Sequence, residues 1–181
     1  MAGSKSALKA KDTDAVHPGE TPVASDIMNR RIHMIDPAMS LADVVTFLIK
    51  HQISNAPVVE KDGKGMRLLG FVSEGDCLEF LSNELFYGNP SPAQTAETIM
   101  SKHPVCVGPN EDIFTLTSIF TSHRYRHLPV VENGHLLGII SRRDLIRALD
   151  LYYRDWTQTQ DRARLPIDLR QIIYHRFLAS K

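Results

Sequence analysis

The sequence is short of several things, and each shortage removes a class of answer. Its 181 residues hold 2 cysteines, Cys77 and Cys106, in no CxxC pair, so there is no disulfide framework to build on and a reducing, cytoplasmic setting is expected. The apolar runs are strand-sized and none approaches the roughly 20 residues of a membrane span. No membrane association is expected. Net charge is absent, with Lys plus Arg and Asp plus Glu at 21 each. No global field therefore draws the chain to nucleic acid, and any anion site has to come from local clustering. A Walker A loop, a GxGxxG fingerprint, a GxSxG elbow and an HExxH pair are all missing, which leaves hydrolysis and classical dinucleotide chemistry without a handle. The chain is not expected to be an enzyme.

With 43% apolar and 23% charged residues, the composition is that of a soluble globular protein able to bury one core or two small fused ones. Residues 1–21 are the exception. They carry lysines but also Asp12, Asp14 and Glu20, and no apolar run, which argues against a secretory or transit peptide and for a disordered tail.

The feature that is present is a duplication. Ile27-Met28, Pro37 and Pro57-Val58-Val59-Glu60 recur 72 residues later as Ile99-Met100, Pro109 and Pro129-Val130-Val131-Glu132. Gly70, Ser73 and Asp76 recur 68 residues later as Gly138, Ser141 and Asp144. The shift places a four-residue insertion in copy one, where residues 61–67 face Asn133-Gly134-His135, and a hairpin turn there would tolerate it.

Both copies change period in the same order. Leu41, Val44 and Leu48, like Ile113, Leu116 and Phe120, are spaced for a helix burying one stripe, and Ser40 to Asp43 and Asn110 to Asp112 supply caps. Ala56-Pro57-Val58-Val59 and Leu128-Pro129-Val130-Val131 then read as strands, each joined by a Gly-containing turn to a second strand, Leu68-Leu69-Gly70-Phe71-Val72 or Leu136-Leu137-Gly138-Ile139-Ile140. After Ser73 and Ser141 helical spacing returns. In copy two, Leu145, Leu149, Tyr152 and Trp156 predict a long closing helix. A short strand near Met34-Ile35, or near Val105-Cys106-Val107, introduces each unit, with Cys106 expected as a buried structural thiol. The fold class is mixed α+β, with strand, helix, hairpin and helix in each of two pseudo-two-fold-related copies. The boundaries are 22–88 and 94–157, and 158–181 forms a C-terminal helical extension.

Ile-Met, Pro before a capped helix, His-Leu-Pro-Val-Val and Leu-Leu-Gly-Ile-Ile-Ser-x-x-Asp-Leu, in this order and twice over, resemble the CBS domain, named from cystathionine β-synthase and usually found in tandem pairs. The resemblance covers roughly residues 24 to 150. It implies a regulatory module that holds an adenosine-containing ligand such as AMP, ADP, ATP or S-adenosylmethionine between its halves. It also implies a homodimer and a regulated partner protein.

The residues support a site of that kind in copy two. Ser141 joins a strand to a helix, where free N–H groups favour phosphate, and the Asp144 carboxylate suits a ribose diol. Arg126, His127, Arg142 and Arg143 are brought to one end of the hairpin, as a phosphate site requires, and adenine is expected against Leu128 and Pro129. Arg126 and His127 are preceded by His123 and Arg124. Ser-x-x-Asp alone is equally a helix-capping box, and a ligand-independent interaction scaffold remains the opposing reading. S-adenosylmethionine or NAD remain alternative ligands. Copy one keeps Ser73 and Asp76 but has Asn55 for His127 and Glu74-Gly75 for Arg142-Arg143. Its possible second site, Asn55, Ala56, Pro57, Ser73 and Asp76, would repel phosphate. His123 and His127 lie four apart without an HExxH glutamate, and no metal site is expected. Leu169, Ile172, Ile173 and Phe177 form an apolar stripe near the C-terminus, for a dimer contact or a partner.

Overall fold

The computed structural model describes residues 21–87, 94–123 and 125–164. Helix α1 (Ala24–Ile27) precedes α2 (Leu41–His51), the hairpin β1 (Asn55–Asp62) and β2 (Gly65–Ser73), and α3 (Glu74–Tyr87). The second copy repeats the order as α4 (Ala96–Ile99), the short strand β3 (Ser101–Lys102), α5 (Ile113–His123), the hairpin β4 (His127–Glu132) and β5 (His135–Ser141), and α6 (Arg142–Arg164). The fold is mixed α+β, built from two like halves. The expected tail at 1–21, save its last residue, and the stripe from Leu169 to Phe177 lie outside the described residues.

Local chemistry accounts for the helix starts. Ser40 Oγ accepts the Asp43 N–H at 3.2 Å at the head of α2, and Asp112 Oδ1 accepts those of Phe114 and Thr115 at 2.9 and 3.0 Å at the head of α5. Leu41, Val44 and Leu48 are buried, as are Ile113, Leu116 and Phe120. These are the two stripes expected from spacing. The introductory strands shrink to single parallel bridges, Ile35 to Val58 and Val107 to Val130. Cys106 is not buried but exposed, because only Val107 faces inward there. Its thiol donates to the Pro104 carbonyl at 3.2 Å, and local desolvation raises its pKa, which disfavours a thiolate. The buried cysteine is Cys77.

The insertion in copy one lengthens strands rather than the turn. Each hairpin turns through the two residues between its strands, but β1 and β2 have 8 and 9 residues where β4 and β5 have 6 and 7. In the shorter hairpin Asn133 and Gly134 take φ of 51° and 83°, a conformation that matches strand twist and favours this Asn-Gly pair. Both hairpins slip register at the same place, between Val58 and Val59 and between Val130 and Val131.

The copies cover one another through exchanged segments. Ala24 and Ile27 of α1 and the following Met28 pack with Ile113, Leu116, Leu128 and Ile140 in the core of copy two. Ala96 and Ile99 of α4 pack with Val44, Val58 and Val72 in the core of copy one. Backbone bonds fix each crossing: Ala24 N donates to Glu111 O at 2.8 Å, and Ala96 N to Met39 O at 2.8 Å. Beyond α1, Asn29 and Ile139 exchange N–H···O bonds of 2.8 and 3.1 Å, while β3 pairs with β2 at Gly70 and Phe71. Gly70 and Gly138 are glycines because of these crossings. A Cβ at Gly70 would lie 2.6 Å from the Ser101 carbonyl and 2.8 Å from Met100 Sδ, and one at Gly138 would overlap the Met28 side chain.

The strand order is β1-β2-β5-β4, joined where Arg67 faces His135. There His135 Nε2 lies 2.9 Å from Asp62 Oδ2, and Arg67 pairs with Glu60. Helix α6 is long, as the spacing predicts, and it outruns the core. Leu145 is buried and Tyr152 meets Phe114 edge-on at 5.7 Å, but Trp156 is 52% exposed.

Candidate functional site: a basic cavity between the copies

Strand β5 ends at Ser141, and α6 begins at the next residue. Ser141 Oγ accepts the Asp144 N–H at 3.2 Å, and Asp144 Oδ2 accepts from the Ser141 N–H at 3.0 Å and from its hydroxyl at 2.5 Å. This is a reciprocal capping box. Ser73 and Asp76 form the same box, with distances of 3.2, 2.7 and 2.7 Å. Capping therefore accounts for the motif in both copies. It engages one oxygen of Asp144, while Oδ1 has Arg147 Nη1 at 3.9 Å, so a ligand hydroxyl can still be accepted there.

The surroundings distinguish the copies. A cavity of about 770 Å³ opens at the head of α6, lined there by Ser141, Arg142, Arg143 and Asp144. Arg126 and His127, at the start of β4, line it as well. Thus six of the eight residues expected in this site are gathered. Leu128 and Pro129 are buried and are not among the lining residues. The apolar wall is supplied instead by Ile32, Ile53, Pro57 and Ile139.

Asn55 and Pro57, assigned by sequence to the possible second site, line this same cavity from the copy-one side. Ala56 between them is 1% exposed. Ser73 and Asp76 lie at the head of α3, outside the cavity, with Glu74 beside them.

Besides Gln52 and Ile53 just beyond α2, the lining residues not marked by the sequence are four, Asn29, Arg31, Ile32 and His33. They belong to the strap that carries the chain from α1 back to copy one after Asn29 bridges Ile139. The one signal for them is Arg30-Arg31, one residue beyond the repeated Ile27-Met28. Reading it required knowing that this segment crosses between copies.

The cavity is strongly basic. Arg31, Arg126, Arg142 and Arg143 stand against a single lining carboxylate, Asp144. Arg142 is held in place, its Nε donating to the Tyr125 carbonyl at 2.5 Å and its N–H to that of Arg126 at 3.3 Å. Burial lowers the His127 pKa, with Asp144 opposing and Arg126 adding to the shift. Asn55 Nδ2 sits 3.0 Å from His127 Nδ1, which suits a neutral ring. This collection can bind an anion by charge and fork geometry and an apolar ring by its copy-one wall. No group of three His, Cys, Asp or Glu able to hold a metal occurs among the described residues.

The CBS domain family model matches twice, over residues 24–83 and 96–151, together more than half of the chain. The chain belongs to the CBS domain family. It is a tandem CBS pair, as the ordered motifs implied. It is 29% identical over 160 residues to protein MJ1426 of Methanocaldococcus jannaschii, covering 72% of this chain and 93% of that one. It is 27% identical over 124 residues to the A-adding tRNA nucleotidyltransferase of Aquifex aeolicus. This match takes in 68% of the chain but spans only 14% of that enzyme's length. Among solved structures it is similar to CBSX2 in complex with AMP, at 26% identity and a TM-score of 0.61, over 71% of this CBS pair and 96% of CBSX2.

Proposed function

We propose that this CBS pair is a regulatory sensor that binds an adenine nucleotide, AMP, ADP or ATP, in the cavity at the head of α6 and transmits its occupancy to a partner protein. One observation carries the reading: Arg126, Arg142 and Arg143 line one cavity with Asp144 and an apolar wall. Phosphate meets the guanidiniums, the ribose diol meets Asp144 Oδ1, and adenine lies against Ile32, Ile53 and Pro57. The likeness to CBSX2 in complex with AMP supports the ligand class. S-adenosylmethionine fits less well, because its sulfonium would enter a cavity already rich in cations. The copy-one motif, with Glu74 beside Asp76, is left as a structural cap. The pair acts by binding rather than by catalysis, and the ligand needs no protein-held metal.

Two further parts of this reading concern setting. A homodimer is supported by the closing helices, which expose Leu78 and Leu85 on α3 and Ile146 and Tyr153 on α6 at corresponding positions. Such paired apolar faces suit a symmetric, self-complementary contact. A cytoplasmic location agrees with two free cysteines, and no helix among the described residues is long and apolar enough to cross a membrane.

A thermal-shift panel of adenosine, AMP, ADP, ATP, NAD and S-adenosylmethionine tests the proposal. A ligand at 100 times its Kd adds about 2.7 kcal/mol, which for a chain of this size raises Tm by several degrees. No shift with any adenine nucleotide at millimolar concentration would favour the ligand-independent scaffold.

A further inference from the structure

Four arginines against one carboxylate give the cavity lining three net positive charges before its histidines are counted. A monophosphate brings only about −1.5 to −2 at neutral pH. The excess sits on both sides: Arg126, Arg142 and Arg143 belong to copy two, whereas Arg31 belongs to the strap leading back into copy one. The Arg31 backbone is turned by its N–H donating to Asn29 Oδ1 at 3.1 Å, and among the described residues its guanidinium makes no salt bridge to a carboxylate. Arg31 is exposed, so its charge faces the cavity mouth and solvent rather than a fixed internal partner.

Resting on the adenine-nucleotide reading, we infer that the cavity selects a nucleoside di- or triphosphate over a monophosphate, with Arg31 as the residue that reads the added phosphates. The α-phosphate is met at the head of α6, and the β- and γ-phosphates reach across to the strap. Each further phosphate adds about one negative charge and moves the ligand's charge toward that of the lining. Because residues 29–33 connect α1, packed in copy two, to the body of copy one, a ligand that spans the gap ties the strap to α6. A monophosphate leaves Arg31 unpaired.

Calorimetric titration of the full chain with adenosine, AMP, ADP, ATP and inorganic tripolyphosphate decides this. Affinity should rise from AMP to ADP to ATP, and Arg31→Ala should weaken ATP about tenfold, the scale of one charge-assisted contact, and AMP several times less than that. Arg31→Lys, which keeps the charge, should retain most of the ATP affinity, and unchanged Tm values would show both variants folded. Equal affinity for AMP and ATP, or equal weakening of both by Arg31→Ala, would overturn the inference and leave the adenine reading standing. Tripolyphosphate binding with no adenine ligand bound would support the charge argument and overturn the adenine one. Binding by none of the five would overturn both.

Discussion

Asn55 and His127 occupy equivalent positions in the two copies, 72 residues apart, and meet directly, Asn55 Nδ2 lying 3.0 Å from His127 Nδ1. The contact pairs an amide donor with an imidazole nitrogen across the two copies. With Nδ1 accepting from the amide, the neutral ring carries its proton on Nε2. The hydrogen bond joins the copies beside the cavity that both residues line.

The burial of His127 gives stability a pH dependence of defined sign. His127 has a folded pKa below its ordinary value because burial disfavours the charged ring. The unfolded chain, titrating near 6.5, binds more protons in that window, so stability should fall as pH drops below about 6.5. His127→Asn removes that proton site and keeps an amide opposite Asn55. Urea unfolding of both proteins between pH 5 and 8 should show a shallower slope for the variant. His51, also lowered by burial and by His33 and Lys50, contributes the same sign to both and cancels in the difference. Parallel slopes would place His127 in solvent.

A second linkage lies at lower pH. The His135 hydrogen bond, with help from the Lys64 N–H, lowers the Asp62 pKa from its ordinary value. Its stabilisation is therefore complete above the unfolded value of about 3.9 and is lost as pH falls through the lower folded value. Asp62→Asn should be less stable than the native chain at pH 6. The difference should close below about pH 4, as followed by thermal unfolding across this range.

Met28 and Gly138 test the exchanged architecture. Gly138→Ala places a methyl group where the Met28 side chain already lies, and overpacking of this kind costs about 1–3 kcal/mol. Met28→Ala opens that space, so the double variant should lose less than the sum of the single losses. A double-mutant cycle by urea denaturation measures the coupling. Additive losses would mean that α1 does not cross to copy two.

Much of this was legible in the sequence because it is local. Spacing at Leu41, Val44 and Leu48 specifies a buried helical stripe, and Asn133-Gly134 specifies a turn, whatever surrounds them. Six of the eight residues expected in the copy-two site line the cavity because Ser-x-x-Asp and Arg-His-Leu-Pro lie at the same end of one hairpin. What was not legible depends on long-range contact. Nothing near Ile27-Met28 says that it packs on the other copy, so Arg31 and His33 escaped notice, and Leu128 and Pro129 were given a wall that Ile32 and Ile53 supply. Cys106, flanked by valines, has the pattern of a buried strand, but a single bridge at Val107 turns only one side chain inward.

The most direct test of the central claim is calorimetric titration of ATP into the native chain, Asp144→Ala and Asp76→Ala. Each aspartate caps its helix in the same way, so each substitution loses a similar cap, typically about 1 kcal/mol of stability, and the pair controls for it. The native chain should bind with one principal site, Asp144→Ala should bind at least tenfold more weakly, about 1.4 kcal/mol, and Asp76→Ala should bind nearly as the native chain does. Unchanged affinity in a folded Asp144→Ala protein, or equal losses in the two variants, would contradict the assignment of the cavity at the head of α6 as the nucleotide site.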